Sequence, residues 1–267
     1  MPWSTRHRTL ALCAAPVVAL LAVAAFVPLP FAVAQPGSTV NVLGADKTDK
    51  AGKNTPVISI SGAPVRRTTG QLRMTTIVAT GPDTAVGLDD VVDGWFRTDR
   101  AIMPHDAVYP SGQSDTEVEK HNVEEMKKSQ DAAAAAALGY LHRSPKDVKV
   151  QLSLADIGGP SAGLLFALGV VDKLDGDGQG GDLTGGRTIA GTGTIEPDGT
   201  VGAVGGVALK TQAAQRDGAT VFLVPKDECS DATGHTPKGL RLIPVTDLKG
   251  AVDALKALAA GRDVPAC

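Results

Sequence analysis

Aromatic rings are scarce in this sequence: two Trp, two Tyr and five Phe amount to 3% of 267 residues. The 43% hydrophobic content is therefore mainly Val, Leu, Ile and Ala, and any core is built from aliphatic packing. A basic excess is also missing. With 26 Lys and Arg against 29 Asp and Glu, the formal charge is -3, which gives no field able to gather phosphate backbones and excludes nucleic acid as a partner. No Gly-x-x-x-x-Gly-Lys-Ser/Thr segment occurs, and Gly52-Lys53 lacks both the upstream glycine and the following hydroxyl, so no ATP-binding loop is encoded. Glycine clusters at 176–181 and 202–206 do not form the Gly-x-Gly-x-x-Gly turn of a dinucleotide site. Asp175, Asp177 and Asp182 could suggest calcium, but Gly186 stands where the twelfth-position glutamate belongs, and we read a solvated acidic loop. No metal and no cofactor are expected.

What is present begins with an address. Arg6, His7 and Arg8 precede an apolar run from Leu10 to Val27, broken only by Pro16, which is close to the ~20 residues that span a bilayer. Residues 1–34 read as a signal peptide or a signal-anchor transmembrane helix, with the rest of the chain extracytoplasmic. The small-x-small segment Ala32-Val33-Ala34 keeps open the alternative of a product secreted after cleavage near Ala34. Of three cysteines, Cys13 falls in the apolar run, while Cys229 and Cys267 would be exported, where an oxidising compartment favours one disulfide between them.

Residues 35–56, polar and rich in Gly, Lys and Asp, read as an extended tether. Residues 57–144 read as a β-rich segment followed by a long helix. Val57-Ile58-Ser59-Ile60 and Thr75-Thr76-Ile77-Val78 suit a hairpin or small sheet, and Asp115 to Leu141, with six alanines at 132–137, is made of strong helix formers. From 145 to 267 strand and helix alternate. Strands are expected at 148–154, 188–190, 192–195, 220–224 and 240–245, and helices at 161–174, 206–217 and 247–260. The fold class is α+β.

Two segments carry chemistry. Gly159-Pro160-Ser161-Ala162-Gly163 puts a serine where a strand and loop run into a helix, so that its oxygen sits among unpaired N–H groups at a positive dipole end. The same position also suits an ordinary N-cap. Lys210 shares a helical stripe with Val207 and Ala214, the stripe expected to face the core. A lysine held there is desolvated, its pKa falls, and its neutral amine can take a serine proton.

Together these segments resemble the proteolytic domain of the Lon proteases, and more closely its secreted or membrane-bound Lon-like branch. The family's nucleophile lies in Gly-Pro-Ser-Ala-Gly, matched by 159–163; its lysine follows a Gly-Gly pair by four residues, matched by Gly205-Gly206 and Lys210; a threonine-glycine pair between them is matched by Thr192-Gly193. A weaker likeness covers Pro36-Gly37, Gly70-Gln71-Leu72-Arg73 and Met126 to Gln130. The resemblance implies a Lon-type mixed sheet with packed helices, Ser161 as nucleophile, Lys210 as base and Thr192 as its orienter. Gly159, Pro160, Ala162 and Gly163 would then line the oxyanion and substrate site. It also implies polypeptide substrates and a homo-oligomer, hexameric in relatives. Membrane relatives commonly carry a PDZ domain between the long helix and the catalytic strand; here Leu141 runs to Val148 with no room for one. The activity implied is ATP-independent endopeptidase action on loosely folded polypeptides.

Two other readings fit parts of the sequence. An α/β-hydrolase esterase shares the Gly-x-Ser-x-Gly elbow, but of five histidines only His235 follows Ser161, in a polar segment. An inactive envelope protein that binds peptides is the non-enzymatic alternative. Natural substrate, cleavage preference and processing of the N-terminus are not legible.

Overall fold

The computed structural model describes residues 5–46, 55–109, 114–154, 159–234 and 236–267. In chain order these form helix α1 (Thr5–Phe26), strands β1 (Phe31–Asn41), β2 (Ala45–Asp46), β3 (Thr55–Pro56), β4 (Ile58–Ser61) and β5 (Gln71–Ala79), and helix α2 (Leu88–Phe96). Strand β6 (Ala101–Pro104), helices α3 (His105–Val108) and α4 (Asp115–Tyr140), strand β7 (Lys149–Leu152) and helix α5 (Gly163–Leu174) follow. The chain continues through strands β8 (Thr188–Gly191), β9 (Thr194–Ile195) and β10 (Val201–Gly202), helix α6 (Val207–Arg216) and strand β11 (Val221–Pro225). Helix α7 (Cys229–Gly234), strand β12 (Arg241–Val245) and helix α8 (Leu248–Ala259) complete it. Two compact units result, one from residues 1–35 and 79–115, the other from 36–78 and 116–267.

The larger unit is a mixed α+β body around the strand order β12-β11-β8-β5-β1, in which β5, β8, β11 and β12 run parallel. Every residue of β11 is buried, as expected of a strand covered on both faces. Alternate side chains serve two cores. Val221 and Leu223 join Leu164, Leu165 and Leu168 of α5 and Val252 and Leu255 of α8, while Phe222 and Val224 join Val207 and Ala214 of α6 and Leu242 of β12. The alanine run lets α4 lie close: Ala133, Ala136 and Ala137 belong to the first core. Asp247 caps α8, its Oδ1 accepting the Gly250 amide at 2.7 Å.

Several expectations are corrected. The segments around 58 and 75 are strands but not a hairpin: β4 pairs antiparallel with β7, and β5 parallel with β8. Residues 36–46, read as tether, complete β1 and form β2, with Val42 and Leu43 buried. Gly37 permits this, because a Cβ there would collide with Thr76 of the adjacent strand. Residues 47–54 of the same expected tether lie outside the described residues, as does His235.

In the smaller unit the leading half of β1 pairs antiparallel with β6, Phe31 opposite Pro104 and Ala34 opposite Ala101. Ala32 and Ala34, read as a processing motif, are buried in that pairing. The apolar N-terminal run is helical, but among the described residues no helix is long and apolar enough to cross a membrane.

Candidate active site

Ser161 stands in a 3-10 turn, Pro160–Ala162, that feeds directly into α5. Gly159 enters the turn at φ 102°, a conformation that disfavours side chains, which explains the glycine ahead of the serine. The N-cap of α5 is Ala162, so Ser161 is not spent as the cap of that helix. Ala162 and Gly163 are buried beneath the turn, while Gly159, Pro160 and Ser161 are partly exposed, which leaves the serine reachable from solvent. Helix α4 braces the turn from below. Ser129 Oγ donates to the Pro160 carbonyl at 2.9 Å, and the Gly159 amide donates to Asn122 O at 3.1 Å. Sequence reasoning did not single out Ser129 or Asn122; the only signal was the faint likeness over Met126 to Gln130.

Thr192 and Gly193 form the second wall. The Gly193 amide donates to Ser161 O at 2.9 Å, and Gly193 O accepts the Leu164 amide at 3.1 Å, so this pair grips the Ser161 turn on both sides. Thr192 is fully buried; its amide donates to Leu223 O of β11 at 3.1 Å, and its Oγ1 donates to Ser161 O at 3.2 Å.

Lys210 comes from the first turns of α6. That helix starts at Gly206, whose φ of 70° and close approach to Ile77 both call for glycine. Lys210 is only 4% exposed, and its Nζ donates to Thr192 Oγ1 at 3.1 Å. The structure thus brings Ser161, Thr192 and Lys210 into one continuous chain of hydrogen bonds: amine to threonine hydroxyl to the carbonyl of the serine. Burial pushes the Lys210 amine down to about 8, against a smaller upward pull from the Glu228 carboxylate. An amine with that pKa is substantially neutral in mildly alkaline water, and it is tied through the Thr192 hydroxyl to the main-chain carbonyl of Ser161.

The other residues singled out by sequence lie elsewhere. Cys229 and Cys267 are joined as a disulfide with Cα atoms 5.3 Å apart, which fastens the C-terminus to α7. In the acidic loop, Asp177 Oδ1 accepts the Gln179 and Gly181 amides, and Asp182 Oδ2 accepts from Thr69. Those carboxylates are spent on holding the loop, and no group of three metal-ligating side chains occurs among the described residues.

No curated protein matches this chain. The family model of the Lon protease (S16) C-terminal proteolytic domain matches residues 118–256, more than half of it, a range that holds the Ser161 turn, the Thr192-Gly193 wall and Lys210. The chain therefore belongs to the Lon S16 family and carries a serine peptidase domain.

Proposed function

We propose that this chain is an ATP-independent, extracytoplasmic endopeptidase held at a membrane, in which Ser161 is the nucleophile, Lys210 the general base and Thr192 the group that aims the amine. The observation that carries this reading is the buried Lys210 amine, tied through Thr192 to the serine turn. The neutral amine takes the Ser161 hydroxyl proton as the oxygen attacks the peptide carbonyl, giving a tetrahedral oxyanion and an ammonium. As the C–N bond breaks, the ammonium returns that proton to the leaving nitrogen, leaving an acyl ester on Ser161. Water then attacks the ester with Lys210 again as base, releasing the acid and restoring the hydroxyl. Main-chain N–H groups of the Gly159–Gly163 segment would receive the oxyanion.

The export and membrane parts rest on Arg6 and Arg8 ahead of the apolar run and on the exposed Leu12 and Leu20 of α1. Extended, loosely folded polypeptide is the substrate class, because the sequence encodes no ATP-binding loop with which to unfold anything tighter.

An alkylphosphonate that acylates activated serines tests the dyad. Labelling is expected at Ser161, rising with pH through a midpoint near 8, and Lys210→Met should abolish it. A profile that is flat, or that favours acid, would remove Lys210 from the mechanism.

A further inference from the structure

Helix α2 leaves most of its apolar side uncovered by its own protein. At about 100° per residue, Val92, Trp95 and Phe96 fall on one side with Leu88, and Asp89, Asp90 and Asp93 on the other. An amphipathic helix normally buries the apolar side. Here Asp90 Oδ2 caps the helix's own start, accepting the Gly87 amide at 3.0 Å, Asp93 forms a half-exposed pair with Arg100 at 2.8 Å, and Leu88 and Val91 are only half-buried. Gly94 is the buried residue of the helix, pressed against Ile102 of β6 so closely that a Cβ would collide. The apolar side is left in solvent, with Trp95 77% and Phe96 83% exposed. In a chain with nine aromatic residues, two adjacent ones in that state amount to an unfilled contact surface.

Its position bears on what fills it. Helix α1 ends at Phe26, and three residues later Leu29 is bridged to Val86, the Leu29 amide donating to Val86 O at 2.8 Å. Val86 stands two residues before α2 begins, and α1 and α2 touch within the same unit. Helix α2 is therefore fixed at the end of α1, whose own leucines and valines are exposed, so the two helices offer apolar surface side by side.

We infer that the apolar side of α2 seats in the interfacial layer of a lipid bilayer, with Trp95 and Phe96 as the inserted groups and the carboxylates of Asp90 and Asp93 left on the watery side. Tryptophan suits that depth, since its ring prefers apolar surroundings and its N–H stays near water. Lipid contact of this kind does not require α1 to cross the bilayer. It rests on the proposed membrane association and not on the Ser161–Lys210 chemistry, which the phosphonate label reports separately.

The two tryptophans are Trp3 and Trp95, so the full chain carrying Trp3→Phe has Trp95 as its one tryptophan reporter. With neutral phosphatidylcholine vesicles, its emission is expected to shift to the blue and to be quenched by brominated acyl chains. Trp95→Ser with Phe96→Ser should lower vesicle partitioning about tenfold or more. Emission that is unchanged by vesicles, whether or not the chain sediments with them, overturns the inference. So does a blue shift that appears without lipid and grows with protein concentration, which would make a second copy of the chain the occupant.

Discussion

Among the described residues of the larger unit two charged side chains lie buried, Lys210 on α6 and Asp172 on α5, at 4% and 0% exposure. Burial acts on both in the same way, disfavouring the charge: it takes the amine down to about 8 and the carboxyl up to about 6. Their surroundings separate them. Lys210 donates to a side-chain oxygen that leads to the Ser161 turn. Asp172 Oδ1 accepts the Leu183 amide at 2.7 Å, closing the loop after α5, and its Oδ2 has no partner among the described residues. A shifted pKa thus marks where charge is costly, and only the hydrogen-bond path says whether the cost serves chemistry or architecture.

The sharpest way to break the contrast is Lys210→Met. Peptide cleavage and phosphonate labelling should fall by about 10³-fold or more, while the folded chain gains stability at pH 7. The sign follows from linkage. Below pH 8 the folded protein carries a buried ammonium that the unfolded chain solvates freely; from 8 upward the folded form releases its proton first, and above the ordinary lysine value of 10.5 the deficit is gone. Denaturant titrations should therefore show the variant more stable by on the order of 2–3 kcal/mol at pH 7 and level with the parent above pH 10.5. Loss of activity without any gain in stability would mean the amine is not buried in solution.

Next in size is the disulfide. It closes 38 residues around α7, β12 and α8, and Cys267→Ser should cost about 3–4 kcal/mol of stability. The activity midpoint near pH 8 should stay in place, because the Lys210 amine is held by Thr192 Oγ1, which lies outside the closed loop. A midpoint that moves upward on reduction would show that α7, which carries Cys229 next to Glu228, helps keep the amine dry.

The chemistry-bearing residues were far more legible than the contrast between them. Ser161 and Lys210 stand out because glycine is needed at the φ 102° entry to the serine turn and at the left-handed start of α6, and such requirements are written locally. Strand β11 reads as a run of apolar residues because both its faces are covered. Pairing is not written locally: Ile58 finds Leu152 across some ninety residues, so adjacent strands 58 and 75 passed for a hairpin. Strand β1 was missed because Pro36 and Gly37 look like linker, and become strand only beside Thr76. Asp172 sits in an apolar helix with nothing nearby in sequence to announce that Leu183 needs an acceptor.

Thr192→Val tests the relay that singles out Lys210. The substitution keeps shape but deletes the oxygen that accepts from Nζ and donates to Ser161 O. A rate loss of about 10²-fold is expected, matching ~2–3 kcal/mol for a lost oriented hydrogen bond to a charged or reacting group. The pH midpoint should move lower still, since the ammonium loses its acceptor. A rate loss with an unmoved midpoint would make Thr192 a prop for the Ser161 turn alone.

The smallest effect is expected from Asp172→Asn, and it bears on the other half of the comparison. The amide keeps an oxygen for the Leu183 N–H and carries no charge. At pH 7 the parent holds an ionised carboxylate in a site that lifts its pKa to about 6, whereas below the ordinary value of 3.8 the group is protonated whether folded or not. The native carboxyl thus helps stability in acid and loses that contribution as pH rises through 6, so the variant should be the more stable one at pH 7 and equal near pH 3. The gain is held to about 1–2 kcal/mol because the new NH₂ occupies the place of Oδ2, where no partner waits. Cleavage and labelling should not change at any pH. If Asp172→Asn slows Ser161 labelling while the unfolding curves stay intact, the carboxylate belongs to the catalytic network, and burial alone would have been the better guide to function.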